Sequence, residues 1–589
     1  MLVQSPFQIF WEKLPNYNFV RYFLAKFAKY GDGIALVDPD SGRQWKYSEL
    51  SDSIERCANW LLDLGVKRCS GNVALITSSS VQTIILQLTC ACLDVVSVAI
   101  DGYLTIDEIW QKLDISDISY CITELQFLSK VEEVRRKAVI RGSKRIETEE
   151  TFENATKQRS SSFSTNVRNN VIMLYFGLGD TRTPKAIEIS QKSLILNIQQ
   201  LSCSLFRPPN QNDRFLLTAC IHHNFGLTMA YYALANGATL IITPRYSQTR
   251  FLSDIAKFKI TVTYMTPPMV EVLSKEPNLD EFNLSSLRSV LVGGAPIDPE
   301  TLVICKERLN LEDLRQIYGM ALLGGVATIS HYGCKKYDSV GVPLSGMLMK
   351  IVNPDTNETC LPNQVGHLLV LGPQVSPSFY KSPKTTKEYI DCDNYVKTGD
   401  AAFYDENGYI YILGRMREMI RENGVLVPLL SVEKQLKAHP GIDDCAIVLR
   451  RNRSAKDLPT AFVVKNSQHS NLCPTEIRQF AASNGKLPDF QDLKGGIFFV
   501  NNIPRSITGN VLRQKLSQKR MMMKETTPHS PTPTPKPTCR KHFETKEIEC
   551  KHPVRCNNYL TKQWPSRRKL ETVITLQNQN QLLLLADNP

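Results

Sequence analysis

The strongest restriction on the fold of this chain is a rhythm in which short, wholly apolar runs alternate with longer segments whose apolar residues recur at helical spacing. Ser48 to Leu64 places Leu50, Ile54, Cys57, Ala58, Leu61 and Leu62 on one face and is stopped by Gly65. Asn72-Val73-Ala74-Leu75-Ile76 reads as a buried strand, Ile106 to Leu113 as a further helix and Tyr120-Cys121-Ile122-Thr123 as a short strand. A strand with no polar side must be covered on both faces, which helices crossing between parallel strands achieve. The rhythm therefore predicts an α/β fold with a parallel, doubly wound sheet. Residues 171 to about 340 repeat it, with Ala238 to Pro244 and Ser289 to Gly294 as buried strands ending in turns.

Residues 341 to 413 change to short strands punctuated by Gly and Pro, which predicts a barrel-like β subdomain. From Met416 to about Leu516 a smaller α+β unit is expected, with a helix at Leu430 to Ala438 and strands at Cys445 to Leu449 and Thr460 to Val464. Beyond it, PHSPTPTPKPT is Pro/Thr-rich, and residues 517–589 are expected to be a disordered tail. This tail holds 13 Lys and Arg against 6 Asp and Glu, more than half of the chain's net charge of +12. The globular part is therefore only mildly basic and does not call for a nucleic acid, whereas the tail suits an acidic partner. Cys539, His542, Cys550, His552 and Cys556 lie in it without the CxxC pair of a zinc site.

No apolar run reaches the roughly 20 residues of a membrane helix, since Leu88 to Ile100 is interrupted by Asp94. The start, MLVQSPFQIFWEKL, lacks the pattern of a signal peptide, and 16 scattered Cys fit a reducing compartment. A cytoplasmic location is expected.

The stretch TGDAAFYDENGYIYILGR, residues 398 to 415, carries the chemistry. A turn at Asp405-Glu406-Asn407-Gly408 joins two alternating strands, setting the Asp400 carboxylate and the Arg415 guanidinium on either side of a hairpin. The pair suits a ribose with a phosphate attached, because a carboxylate accepts from two hydroxyls and an Arg fork reaches oxygens. The stretch closely resembles the adenylate-forming enzymes: acyl-CoA synthetases, 4-coumarate-CoA ligases and firefly luciferase. The resemblance implies that Asp400 holds the ribose of ATP and that Arg415 sits at a hinge. The division it implies is a large domain over 1–413, a hinge at 414–417, a small α+β domain over 418–516 and the tail.

Other segments resemble the same family in the same order. GDGIALVDPDSGRQWKYSEL, Gly31 to Leu50, is similar to its N-terminal hairpin. FGLGDTRTPKA, Phe176 to Ala186, resembles its phosphate loop, with Gly179, Thr181, Pro184 and Lys185 matching. Leu178, Asp180, Arg182 and Ala186 depart from it. Asp180 is the costly change, since a carboxylate ~4 Å from a phosphate charge opposes it by about 4 kcal/mol per charge pair. Arg182 offsets part of that. His222-His223-Asn224-Phe225-Gly226 places His223 where the family has a His near the carboxylate substrate, and Tyr264 to Pro268 resembles the strand before the acyl pocket. Gly293-Gly294-Ala295-Pro296 resembles the turn against adenine, where small residues let a flat base approach.

Tyr318-Gly319-Met320-Ala321-Leu322 stands where the family pattern is Tyr-Gly-Met-Thr-Glu. The resemblance gives Tyr318 the stacking role on adenine. Ala321 lacks the hydroxyl that meets the α-phosphate, and Leu322 lacks the oxygen that holds Mg²⁺. Asn423-Gly424 replaces a Lys-Gly pair, and Ile503 to Arg513 resembles the closing motif with Asn510 in place of the catalytic Lys. Loss of such a charge costs on the order of 3 to 4 kcal/mol in the transition state.

The groups expected to hold nucleotide are therefore Gly179, Thr181, Gly294, Ala295, Tyr318, Gly319, Asp400 and Arg415, with Lys185 and His223 as candidate catalytic groups and no protein metal ligand. ATP or AMP and a carboxylic acid are the expected ligands; Mg²⁺ and CoA enter only if the chain is active. Because the losses concentrate on phosphate chemistry, the expectation is a divergent acyl-CoA synthetase-like protein, a pseudoenzyme that binds nucleotide or acyl ligand with impaired adenylation. Two alternatives stay open: an active carboxylic acid–CoA ligase using Arg182 or Arg505, and a non-enzymatic interaction protein working through the tail. The chain ends Ala-Asp-Asn-Pro, not the peroxisomal Ser-Lys-Leu of some members.

Overall fold

The computed structural model describes residues 2–5, 18–69, 71–140, 147–148, 170–178, 184–375, 377–422, 425–451, 457–469, 471–483, 493, 495–505, 511–517 and 572–576. Gly179, Asp180, Thr181, Arg182, Asn423 and Asn510 lie outside the described residues, as does most of the tail.

Two large sheets form the body. One has nine strands in the order Val342–Pro343, Gly325–Ile329, Asp313–Met320, Ser289–Val292, Val262–Met265, Arg214–Leu217, Thr239–Ile242, Ile34–Val37, Gln44–Lys46. Its centre is parallel and both ends are antiparallel. The other has seven, in the order Glu147–Thr148, Thr572–Leu576, Ile118–Glu124, Asn72–Thr77, Val96–Asp101, Val171–Leu178, Pro184–Ser190. All its pairings are parallel except the last hairpin.

Each large sheet is covered on both faces, as its apolar strands require. Phe215 and Leu217 enter a core shared by the two sheets, while Leu216 between them enters a second core on the outer face. Val73 and Leu75 likewise enter the shared core, and Ala74 and Ile76 a third. The shared core is filled by helices Phe19–Tyr30, Tyr47–Asp63, Val81–Cys92, Gln191–Leu201 and Asn224–Ala235. Their starts are written locally. The Ser80 and Ser190 hydroxyls accept from the backbone N–H three residues on, and at Ile106–Asp114 Thr105 and Glu108 close a capping box.

The Gly/Pro-punctuated segment forms a five-stranded antiparallel sheet: Val3–Gln4, Leu348–Val352, Gly366–Leu371, Val396–Tyr404 and Ile410–Arg415. Beyond it, Ile442–Arg451, Asp457–Lys465 and Ile497–Phe499 form a three-stranded sheet against helices Leu429–Lys437 and Pro474–Ser483. The short C-terminal helix Arg513–Ser517 is tied to this unit by Arg513, whose guanidinium pairs with the buried Glu433 and with Glu418 at 3.2 Å.

Among the described residues, the tail departs from its expected disorder at Thr572–Leu576. Thr572–Leu576 lies between Ile118–Glu124 and Glu147–Thr148 as a parallel strand, Val573 opposite Cys121 and Thr148. The cause is local composition: TVITL carries four β-branched residues in five, and it meets a sheet edge in need of a partner. No helix among the described residues is long and apolar enough to cross a membrane.

Candidate functional site

The hairpin of Val396–Tyr404 and Ile410–Arg415 sets Asp400 directly across from Arg415. Its turn is an Asx turn in which Asp405 Oδ1 accepts from the N–H of Asn407 and Tyr409 at 3.0 and 2.9 Å. Gly408, at φ +78°, takes the left-handed position that the turn needs. Arg415 Nη1 is 3.0 Å from Asp400 Oδ1 and donates to the Thr398 carbonyl at 3.4 Å. Tyr318 Oη donates to Asp400 Oδ2 at 2.7 Å. Asp400 is 5% exposed, and its burial, acting against Arg415 and Tyr318, raises its pKa above the usual aspartate value. Burial and then the Asp400 charge push the Tyr318 hydroxyl well above 10. Each carboxylate oxygen keeps a second lone pair, so the group still accepts from two hydroxyls.

The glycine turn reaches the same place through parallel pairing. Ser289–Val292 lies beside Asp313–Met320 with Val292 opposite Gln316, which brings Gly293-Gly294-Ala295 alongside Ile317-Tyr318-Gly319. A Cβ on Gly293 would stand 2.8 Å from the Ile317 carbonyl oxygen, and Gly294 has φ +101°. Gly319 sits at a register shift, where a Cβ would stand 2.1 Å from the Gly325 carbonyl oxygen. Gly319→Ala is therefore expected to cost about 3 kcal/mol of stability by forcing backbone apart, read as a lower urea midpoint. Tyr264, buried on the neighbouring strand, donates to the Gly293 carbonyl at 2.8 Å and stacks on Phe225 at 5.8 Å. Gly294, Ala295, Tyr318, Gly319, Asp400 and Arg415 thus lie on, or directly after, four strands of two sheets, and Tyr318 and Arg415 both meet Asp400.

Leu322 follows on the short helical turn Ala321–Leu323 and is 7% exposed, packed with Leu323 in the shared core. Among the described residues, no hydrogen bond or ion pair joins Lys185 or His223 to the Asp400 group. Lys185, opposite Gly177, points its ammonium at the rings of Phe379 and Tyr389, 5.4 and 5.2 Å from their centroids.

His223 stands at the N-cap position of the helix Asn224–Ala235 without a side-chain capping bond, and Gly226 one turn on lets the Cys220 carbonyl approach to where a Cβ would be 2.2 Å away. Burial and the Lys112 charge lower His223 to about 4; burial, His223 and Lys112 lower His222 to about 3. Both imidazoles bind fewer protons folded than unfolded between about pH 4 and 6.5. Their contribution is complete above about pH 6.5 and is lost as pH falls through that window, on the order of 3 kcal/mol each at its lower end. Urea unfolding at about pH 7 and pH 5 is expected to show the loss, with a smaller loss in His223→Gln.

The sequence pattern does not reveal the company of these histidines. Asp101 ends the strand Val96–Asp101, and its Oδ2 is 3.8 Å from Cys220 Sγ, which is 3.3 Å from His222 Nδ1. Burial and the Asp101 charge push the Cys220 thiol up to about 12, and burial lowers the Lys112 pKa against the pull of Asp101, Cys220 and Glu108. The one available signal is a carboxylate at the C-terminal end of a parallel strand, the rim where such sheets place ligands.

The AMP-binding enzyme family matches residues 23–380. A probable 4-coumarate–CoA ligase 2 of Dictyostelium discoideum is 32% identical over 353 residues, 59% of this chain and 63% of that protein, less than two thirds of its length. A 4-coumarate–CoA ligase 5 of Oryza sativa subsp. japonica is 28% identical over 512 residues, 85% of this chain and 94% of that protein. ATP-bound MatB from Rhodopseudomonas palustris superposes with a TM-score of 0.74 at 22% identity, covering 86% of this chain and 99% of its own. The anthranilate CoA ligase AuaEII in complex with anthranoyl-AMP gives 0.74 at 22%, covering 85% and 97%. These likenesses extend the hairpin's resemblance over most of the body, and with the family matched across more than half of its length the chain belongs to the AMP-binding enzymes.

Proposed function

We propose that this protein is a divergent acyl-CoA synthetase-like member that holds a nucleotide by its adenosine and has impaired adenylation. The observation that carries the reading is the contrast between Asp400 and Leu322. Asp400 is held ready between Tyr318 and Arg415 with lone pairs to spare, whereas Leu322 is part of the apolar core. The adenosine half fits its ligand: the small Gly294-Ala295 turn allows a flat base near Tyr318, Gly319 lets the adjoining strand Gly325–Ile329 pack tightly behind it, and Asp400 accepts from both ribose hydroxyls. A magnesium ion does not fit at Ala321-Leu322, which offers no side-chain oxygen. An acid's carboxylate fits beside His223, where Asn224 Nδ2 is buried without an acceptor among the described residues. The hinge at Gly414–Arg417, between a large domain over 1–413 and a small one over 418–516, belongs to the same proposal, with Gly414 at φ +133° as its permissive residue.

Calorimetry with AMP and ATP, alongside pyrophosphate exchange over short, long-chain and aromatic acids, tests the reading. Heat with AMP and exchange near background is the expected result. No heat with either nucleotide would leave the non-enzymatic, tail-based reading. Steady exchange that disappears in Asp400→Ala would establish the second reading, an active carboxylic acid–CoA ligase that also uses Mg²⁺ and CoA. That reading is favoured by one feature, the retained Lys185 beside the loop.

A further inference from the structure

We infer that Asp101, Cys220 and His222 form a binding site for one transition-metal dication, with Zn²⁺ as the best-matched ion, at the rim of the seven-stranded sheet. The three ligand atoms lie within 4.8 Å of one another. A tetrahedral zinc ion with bonds of about 2.0 to 2.3 Å holds its ligands about 3.3 to 3.7 Å apart. The observed separations are 3.3 Å for Cys220 Sγ to His222 Nδ1 and 3.8 Å for Cys220 Sγ to Asp101 Oδ2.

The atoms behind the ligands are arranged as a metal site needs. His222 Nε2 lies 3.0 Å from the Thr77 hydroxyl, which accepts its proton in the tautomer that leaves Nδ1 with a lone pair. Asp101 Oδ1 accepts from the Tyr103 N–H at 3.0 Å, so Oδ2 is the oxygen left facing the thiol. The Ser79 hydroxyl accepts from the Ile221 N–H at 3.1 Å and fixes the loop between Cys220 and His222. A thiol has one proton and cannot donate to both Nδ1 and Oδ2, whereas a cation satisfies both acceptors at once. Thiolate, imidazole and carboxylate together select zinc over calcium or magnesium. Lys112 faces Asp101 and Cys220 and opposes a dication. The site is independent of the nucleotide reading, because it uses none of the residues that hold adenosine.

Titration of the full chain with Co²⁺ as a spectroscopic stand-in, and with Zn²⁺ against a chelating indicator, tests the inference. One ion per chain is expected at this site, with a near-ultraviolet thiolate-to-Co²⁺ band that is absent in Cys220→Ser. Asp101→Asn, of the same size, is expected to weaken Zn²⁺ binding at least tenfold, and Thr77→Val by roughly tenfold through the imidazole it orients. Lys112→Met is expected to tighten it. The tail's Cys539, Cys550 and Cys556, changed together to Ser, serve as the control and should leave the band intact. A band that survives Cys220→Ser, or one lost in the tail variant, would overturn the assignment. So would Zn²⁺ affinity unchanged in a folded Asp101→Asn protein.

Discussion

Asp400→Ala is expected to weaken AMP binding by about 3 kcal/mol, roughly a hundredfold in Kd, because two ribose hydroxyls lose a charged acceptor. Calorimetry reads the loss directly. Stability should move much less, within about 1 to 2 kcal/mol. Removing a buried carboxylate relieves its desolvation, which offsets the acceptor lost by Tyr318 and the partner lost by Arg415. A variant that unfolds and a variant that cannot bind are thereby separated by one thermal melt. Asp400→Asn keeps one acceptor and should fall between. Since burial raises the Asp400 pKa, binding that depends on its charge is lost as pH falls through that raised value, at a higher pH than for an ordinary aspartate.

Leu322→Glu, the change that restores a carboxylate at the family's metal position, is expected to destabilise the protein by about 4 kcal/mol and to leave pyrophosphate exchange unrestored. Leu322 lies with Leu323 in the core shared by both sheets, so the substitution forfeits about 2 kcal/mol of apolar burial and puts a charge where no cation pairs with it. Urea unfolding measures the first effect and exchange the second. Asn510→Lys, which restores the charge at the family's catalytic Lys position, is expected to raise exchange by about 10² if phosphate is otherwise held. Opposite outcomes, a stable Leu322→Glu with exchange restored, would mean that the turn Ala321–Leu323 rotates freely enough to present either side chain outward.

The parts of this fold that are legible in the sequence are those encoded by neighbours. Helix Tyr47–Asp63 and strand Asn72–Thr77 agree with their periodicity to within a residue or two, because each is decided by which face is apolar. Asp400 and Arg415 are legible as a pair because a hairpin converts sequence distance into register. Tyr318 and Asp400 are 82 residues apart, and their hydrogen bond depends on how a parallel sheet is set against an antiparallel one. The same holds for Lys185 against Phe379 and Tyr389, and for Asp101 against Cys220, 119 residues away. Leu322 is ambiguous in sequence for a different reason: an apolar residue on a one-turn helix faces either way until packing decides. In the tail, composition misleads because five β-branched-rich residues outweigh their polar surroundings once an edge is offered.

That edge has a consequence in time. Ile118–Glu124 and its neighbour Thr572–Leu576 are separated by more than 440 residues of chain. At about 5 to 20 residues per second, a ribosome needs roughly 20 to 90 seconds to deliver the second strand after the first. For that interval one side of Ile118–Glu124 presents unpaired N–H and C=O groups, the state in which strands recruit foreign partners. The nascent protein thus passes through a long window in which this border is still open, until Thr572–Leu576 emerges and closes it.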